Sequence, residues 1–217
     1  SGRSKTGSNR KTRKQEFKVK QLTLVLIGLL LMNACTKEED VAVISTRFGD
    51  MVLEFYPDVA PKHVESFKIH AQNGYFNGTT FHRIIPGFVI QGGDPNSRDD
   101  DKMNDGQGGH AAKYYGFGDE ARDTSWTIPA EFNDRPHITG ALSMARTPDE
   151  NSAGSQFFIC AAAVHRLDNQ YTVFGQVISG LEVIQQIVNT PRDNRDNPKE
   201  KVAMEVSIIP RSKALEE

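Results

Sequence analysis

Two short runs in this chain bring together residue types that can do chemistry beside an apolar pocket. Residues 81–94 read FHRIIPGFVIQGGD, with Arg83 set among Phe81, Ile84, Ile85, Phe88, Val89 and Ile90. Charged side chains rarely go inside unless they are paired or have a task. Residues 154–159 read GSQFFI and put Gln156 beside Phe158 in a similar mixture of small, polar and aromatic residues. Together the runs propose an apolar pocket with a guanidinium and two amide side chains, Gln91 and Gln156, at its rim. Arginine stays charged, is planar and offers several donors in fixed directions, so it can aim N–H groups at an atom beside a bound apolar ring. Taken singly, Arg83 reads as half of an ion pair, and Phe88 and Phe158 read as core. Their joint occurrence favours a site. His82 with Ser155 lacks the acidic partner and nucleophile elbow of a hydrolase. The six histidines show no tight metal-ligand spacing, so no metal is expected.

The elements that must position these residues are short. Residues 41–46 and 51–56 are β-rich runs around a turn at 47–50, a hairpin pattern. Residues 58–73 read as a helix, with Asp58 as its cap, Pro61 early, Val64, Phe67 and Ile69 apolar, and Gly74 ending it. Strand-like runs follow at 79–84, 89–92, 140–145, 156–161, 172–178 and 202–209, and 181–188 reads as a second helix. Many short strands with Gly-rich connections predict a mainly β fold, barrel or sandwich. Residues 95–125 are poor in apolar side chains and rich in Gly and Asp, which predicts a surface loop. Counted from Asp101, Met103 and Ala112 stand where a calcium-binding loop needs oxygen ligands, so the aspartates read as a solvated loop.

The chain has 217 residues and is 37% apolar, enough for one substantial domain. Its net charge of −2 is uneven. Residues 1–20 carry eight basic side chains against Glu16, a charge of +7, which leaves −9 for the remainder. So acidic a body is a poor partner for nucleic acid. Residues 22–32 are apolar and uncharged, well short of the roughly 20 residues of a membrane-spanning helix. A basic segment, a short apolar stretch and small residues before Cys35 read as a secretory signal. The polar run TKEED follows, and the whole resembles a bacterial lipoprotein signal in which Cys35 becomes the lipidated N-terminus, with a plain signal peptide or a short uncleaved anchor as the alternative. This predicts a signal segment over 1–35, a polar tether over 36–40, a domain over 41–210 and a tail over 211–217. It places the protein in the cell envelope as a lipid-anchored lipoprotein, facing the periplasm or exposed on the outer membrane. Cys160 lies in the apolar run FFICAAA and reads as a small buried hydrophobe.

The run FHRIIPGFVIQGGD resembles the signature of the cyclophilin-type peptidyl-prolyl cis/trans isomerases almost residue for residue, and GSQFFI resembles that family's other active-site strand. The likeness extends over about residues 41–210. It implies a closed eight-stranded antiparallel barrel capped by two α-helices. It also implies a monomeric enzyme that acts on Pro-containing polypeptides without a cofactor, here assisting protein folding in the envelope. On this sequence it makes Arg83 the electrostatic catalyst, with Gln91 orienting it and Phe88 beside it. Phe88, Val89, Phe158 and Leu167 become the walls of a proline pocket, with Tyr171 where many relatives have a pocket-lining His. Ala145, through its backbone, and Gln156 become contacts for the residues before proline. Gly108 and Gly109 resemble the Gly-rich loop beside the neighbouring subsite. The runner-up is a non-catalytic module that binds Pro-containing segments; the presence of Arg83, Gln91 and Phe158 together favours the enzyme. Arg166 stands where cyclosporin-sensitive relatives have a tryptophan that donates a hydrogen bond to the drug and packs on it. An arginine can donate but offers no comparable flat apolar surface. Weak cyclosporin binding with isomerase activity retained is therefore expected; an inhibition titration reads it, and nanomolar inhibition overturns it.

Overall fold

Alternating apolar residues build the sheet, because successive strand side chains face opposite sides. In β1 (Asp40–Thr46) and β2 (Gly49–Phe55), Ala42, Ile44, Met51 and Leu53 are fully buried. Thr46 pairs with Gly49 and Ser45 with Asp50. The turn is thus Arg47-Phe48 alone, shorter than the four residues expected, and Gly49 supplies the φ of +117° that leaves it. The computed structural model describes Gly2 and residues 38–216, and of these residues 39–216 belong to one compact unit. Cys35, and with it the signal and lipidation reading, lies outside the described residues.

The remaining strands are β3 (Arg83–Ile85), β4 (Val89–Gly92), β5 (Ala141–Met144), β6 (Phe157–Cys160), β7 (Val173–Ser179) and β8 (Met204–Pro210). They form one eight-stranded sheet in the order β3-β4-β6-β5-β7-β2-β1-β8, antiparallel throughout. The mainly β architecture and the strand number are as expected, but the closure is not. The sheet is a curled, open half-barrel with β3 and β8 as its edges, and no ladder joins them among the described residues. The outer edge of β3 is taken instead by the 190s loop, where Asp196 O accepts the Ile84 N–H at 2.8 Å. Residues 79–81, expected as strand, cross the seam with a single bridge, Thr80 to Ala203, and a bond from Phe81 N–H to Val202 O at 3.0 Å.

Helix α1 (Pro61–Gln72) covers the inner face of this sheet. Its buried residues His63, Val64, Phe67, His70 and Ala71 recur at helical spacing. Phe67 meets the rings of Phe76, Phe157, Phe55 and Phe174 at 4.8–5.7 Å. Such pairs contribute about 0.5–1.5 kcal/mol each beyond burial, which makes Phe67 the anchor of the main core. The helix starts at Pro61, with Ala60 rather than Asp58 at the cap position and no capping side chain there. Glu131, distant in sequence, does that work: its carboxylate accepts the N–H groups of Lys62 and His63 at 3.1 Å. Helix α2 (Leu181–Val188) buries Val183, Ile184, Ile187 and Val188, and a single turn, α3 (Arg211–Ala214), occupies the expected tail.

The 95–125 segment is a loop, as expected, but it is tied down. Ala111 is fully buried and bonds Trp126 O through its N–H at 2.9 Å. The buried Asp94 carboxylate accepts the N–H groups of Asn96 and Gly106. This holds residues 106–109 beside the β4–β6 surface.

Candidate active site

Two strand registers assemble the site. Across the β3–β4 hairpin Arg83 stands opposite Gln91, Ile84 opposite Ile90 and Ile85 opposite Val89. Across β4–β6 Gln91 stands opposite Phe158 and Val89 opposite Cys160. Ile84, Ile90 and Ile159 are fully buried in the main core. The alternate residues therefore share the outer face, where Val89, Phe158 and Cys160 join a second apolar cluster with Ala141, Val164 and Val173.

On that face Arg83 Nη1 donates to Gln91 Oε1 at 3.3 Å. Gln91 Nε2 donates to Gln156 Oε1 at 3.0 Å, and Gln156 Nε2 donates to Gly108 O at 2.8 Å. Each amide uses its oxygen toward Arg83 and its nitrogen away, so the line fixes the orientation of both. Arg83 spends one donor on it and keeps the others. Beside the line is a cavity of about 130 Å³. Phe88, Val89, Phe158, Leu167 and Tyr171 supply its apolar walls, while Arg83, Gln91, Ala145 and Arg146 complete its rim. A second cavity of about 210 Å³ shares Gln91, Ala145 and Arg146 and continues past Gln156 to Gly106–Gly109. A side chain at Gly109 (φ +103°) would collide with Ser155 Oγ, and one at Gly108 with Asp94 and Asn96. The loop can lie this close only as Gly-Gly.

Of the residues singled out from the sequence, the structure brings Arg83, Phe88, Val89, Gln91, Ala145, Phe158, Leu167 and Tyr171 to one cavity and Gln156 to its neighbour. Ala145 is more restricted than expected: its N–H is spent on Gln156 O at 2.9 Å, which leaves its carbonyl for a ligand. Arg166 does not line the cavity; it is exposed on a 3-10 turn (His165–Leu167), with its guanidinium 4.6 Å from the centre of the Phe88 ring. His82 and Ser155 are not joined, since Ser155 Oγ donates to Gly93 O at 2.7 Å. Cys160 is fully buried, and burial pushes its thiol up to about 12.

The family of cyclophilin type peptidyl-prolyl cis-trans isomerases (described as "Cyclophilin type peptidyl-prolyl cis-trans isomerase/CLD") matches residues 41–207. The chain belongs to this family. It is 43% identical over 171 residues to the mouse peptidylprolyl isomerase domain and WD repeat-containing protein 1, covering 78% of this chain but 23% of that protein. It thus spans about a quarter of the length of that relative. It is 38% identical over 161 residues to a probable peptidyl-prolyl cis-trans isomerase of Brucella abortus, covering 74% of this chain and 78% of the other. Among solved structures it resembles a Cryptosporidium parvum cyclophilin type peptidyl-prolyl cis-trans isomerase determined in the presence of the dipeptide Ala-Pro. The TM-score is 0.66 at 30% identity, over 79% of this chain and 98% of that one.

Two features of this cyclophilin were not singled out from its sequence. Arg146 lines both cavities and lies 4.6 Å from the centre of the Tyr171 ring; its position directly after Ala145 was the available signal. The other is the support behind Phe158. His137 stacks on that ring at 6.0 Å and 17°. Its Nδ1–H donates to Asp168 Oδ1 at 2.9 Å, and its Nε2 lies 3.0 Å from Ser143 Oγ. Asp168, His137 and Ser143 have the contact order of an acyl-transfer triad. Ser143, however, is fully buried, with Thr172 O as a second acceptor for its one proton, so no substrate carbonyl can reach it. The cluster is a prop for a pocket wall.

Burial holds His137 below its ordinary 6.5 despite the Asp168 carboxylate, while the His137 backbone N–H and then its ring hold Asp168 down at about 2. Both groups refuse a proton in the folded protein that the unfolded chain accepts. Their stabilisation is therefore complete above the ordinary histidine range and is lost as pH falls. His63, His70 and His82 are held low by burial and act in the same sense. Melting temperature is expected to fall as pH drops through about 6.5, and again between about 4 and about 2 through Asp168. Asp168→Ala should lower stability at neutral pH by about 1–3 kcal/mol, by orphaning buried donors, and flatten only the more acidic step. Thermal melts of parent and variant across pH check this; an unchanged acidic step removes the linkage.

Proposed function

We propose that this chain catalyses cis/trans isomerisation of peptidyl-prolyl bonds in Pro-containing polypeptides, with Arg83 stabilising the twisted bond. The observation that carries the proposal is the hydrogen-bonded line Arg83–Gln91–Gln156 alongside a small aromatic cavity. Rotation about the prolyl C–N bond breaks amide resonance and has a barrier of roughly 18–20 kcal/mol. No covalent bond changes. In the twisted state the nitrogen lone pair is released from resonance and becomes an acceptor, which it is not in the planar ground state. A donor aimed at that nitrogen therefore binds the transition state more tightly than the substrate, as rate acceleration requires. Phe88, Val89, Phe158 and Leu167 hold the proline ring, while the Ala145 carbonyl and Gln156 hold the preceding segment extended. Gln91 fixes the guanidinium without neutralising it. The Ala-Pro dipeptide used with the Cryptosporidium parvum protein supports an Ala-Pro substrate for this cavity.

Removing one preorganised donor typically costs about 10²–10³ in rate, so Arg83→Ala should reduce kcat/KM on an Ala-Pro peptide by about that factor. Among the described residues Arg83 makes a single side-chain hydrogen bond, so the melting temperature should change little. An NMR exchange assay of the full chain measures the first quantity and a thermal melt the second. A variant as fast as the parent overturns the mechanism; a folded parent with no turnover moves the function to binding Pro-containing segments.

The cellular setting belongs to the same proposal: a monomer assisting protein folding in the cell envelope, tethered through a lipid on Cys35. The basic, apolar and small-residue order of residues 1–35 supports this. In a bacterial host the parent is expected to incorporate labelled palmitate and sediment with membranes, and Cys35→Ser to do neither. Equal membrane association of the two excludes the lipid tether.

A further inference from the structure

The rim of the aromatic cavity carries more positive charge than isomerisation requires. Three guanidiniums stand over its aromatic walls. Arg83 lies 5.9 Å and Arg166 4.6 Å from the centre of the Phe88 ring, and Arg146 lies 4.6 Å from that of Tyr171. Among the described residues none of the three has a carboxylate within 4.0 Å. Four other arginines do: Arg47 with Glu200, Arg135 with Asp58, Arg192 with Asp196, and Arg211 with Glu54. The acidic groups closest in sequence to the rim are engaged elsewhere or exposed. Asp94 accepts the N–H groups of Asn96 and Gly106, Asp168 bonds the rings of His137 and His165, Asp149 Oδ1 accepts the Asn151 N–H, and Glu150 is exposed. Residues 21–217 as a whole carry −9, so the rim opposes the sign of the body around it.

The two outer arginines differ in what restrains them. Arg146 donates through Nε and Nη2 to Gln170 O at 3.2 and 2.8 Å, and through Nη1 to Thr147 O at 2.9 Å. These carbonyls aim its charge without cancelling it. Arg166 makes no side-chain hydrogen bond among the described residues, so its whole fork is available above Phe88. A planar guanidinium already seated on an aromatic face presents paired donors to a carboxylate with little further ordering. It also repels a lysine at the same place.

We infer that this site selects Pro-containing segments bearing Asp or Glu close to the proline and disfavours Lys there, with Arg166 and Arg146 as specificity-determining residues. The inference rests on the isomerase reading of the same cavity. The test uses the full chain and acetylated, amidated Ala-Ala-Pro-Phe peptides with Glu, Ala or Lys placed in turn at each position flanking proline. NMR exchange measures turnover and chemical-shift titration measures binding. At low salt the Glu peptide should exceed the Lys peptide by roughly five- to tenfold at one flanking position or more. The ratio should shrink in about 0.5 M salt, where screening reaches within a few ångströms. Arg166→Glu, at an exposed position, should reverse the order. Equal turnover and equal binding of all peptides overturns the inference and leaves the isomerase standing. Absent turnover with tighter binding of the Glu peptide overturns the isomerase and leaves the preference standing. A ratio unchanged in both Arg166→Glu and Arg146→Gln overturns the assignment to these residues.

Discussion

The register of one hairpin governs this protein's site. With Arg83 opposite Gln91, Ile84 and Ile90 face the core together and the guanidinium and amide face outward together. Because strand side chains alternate with period two, a slip of one residue would exchange the faces. Arg83 would then enter the aromatic core around Phe67, where an unpaired ion costs several kcal/mol. Two isoleucines would move toward water, losing about 1.5–3 kcal/mol each. That sum rivals the 5–15 kcal/mol by which domains are typically stable, so the slipped register is closed off. The same alternation carries into β6, where Ile159 continues the core and Phe158 the outer face.

The sheet thus serves two apolar clusters, one on each face, and the site belongs to the smaller. Residues 164–171 and His137 cover Phe158 from outside, since a bare sheet face there would leave that ring in water. His137 does this as a neutral ring, because burial outweighs the attraction of Asp168 for its proton. A charged imidazolium stacked on Phe158 would need solvent or a better-buried counter-ion. The pocket wall supplied by Phe158 is therefore propped by contacts separate from the hairpin register. A donor aimed at a twisted bond needs both, because electrostatic stabilisation depends on groups that do not reorganise.

Much of this was legible in the sequence because it is written in local periodicity. The alternation around Arg83 and the cluster GSQFFI give the site's main parts, and the apolar spacing in residues 61–72 gives α1. What the sequence did not disclose depends on pairings between distant segments. Closure of the barrel was expected from resemblance, yet the 190s loop takes the edge of β3 through Asp196 O, and nothing in the strand's own residues announces that competitor. Asp58 was the reasonable local cap for α1, but Glu131, 68 residues from His63, supplies it. Arg146 and His137 were overlooked for the same reason: their importance comes from Tyr171 and Phe158, which only the fold brings beside them.

The neutral partner of Arg83 follows from the chemistry proposed for it. A carboxylate at position 91 would bind the guanidinium by charge-assisted hydrogen bonds roughly twice as strong as those to an amide. It would hold two donors rather than one and cancel the charge that a developing lone pair is to feel. Gln91 instead accepts from a single Nη1 and is itself held by Gln156, which is held in turn by the backbone at Gly108. The line ends on a carbonyl that cannot ionise, so orientation is imposed without any compensating negative charge. An arginine left unpaired in this way would be costly in the interior, but on the outer face it rests against Phe88 with water still within reach. An arginine held in this way keeps its positive charge beside the cavity, where Arg146 and Arg166 add theirs, so the proposed isomerisation and the proposed preference for acidic segments draw on the same unneutralised rim.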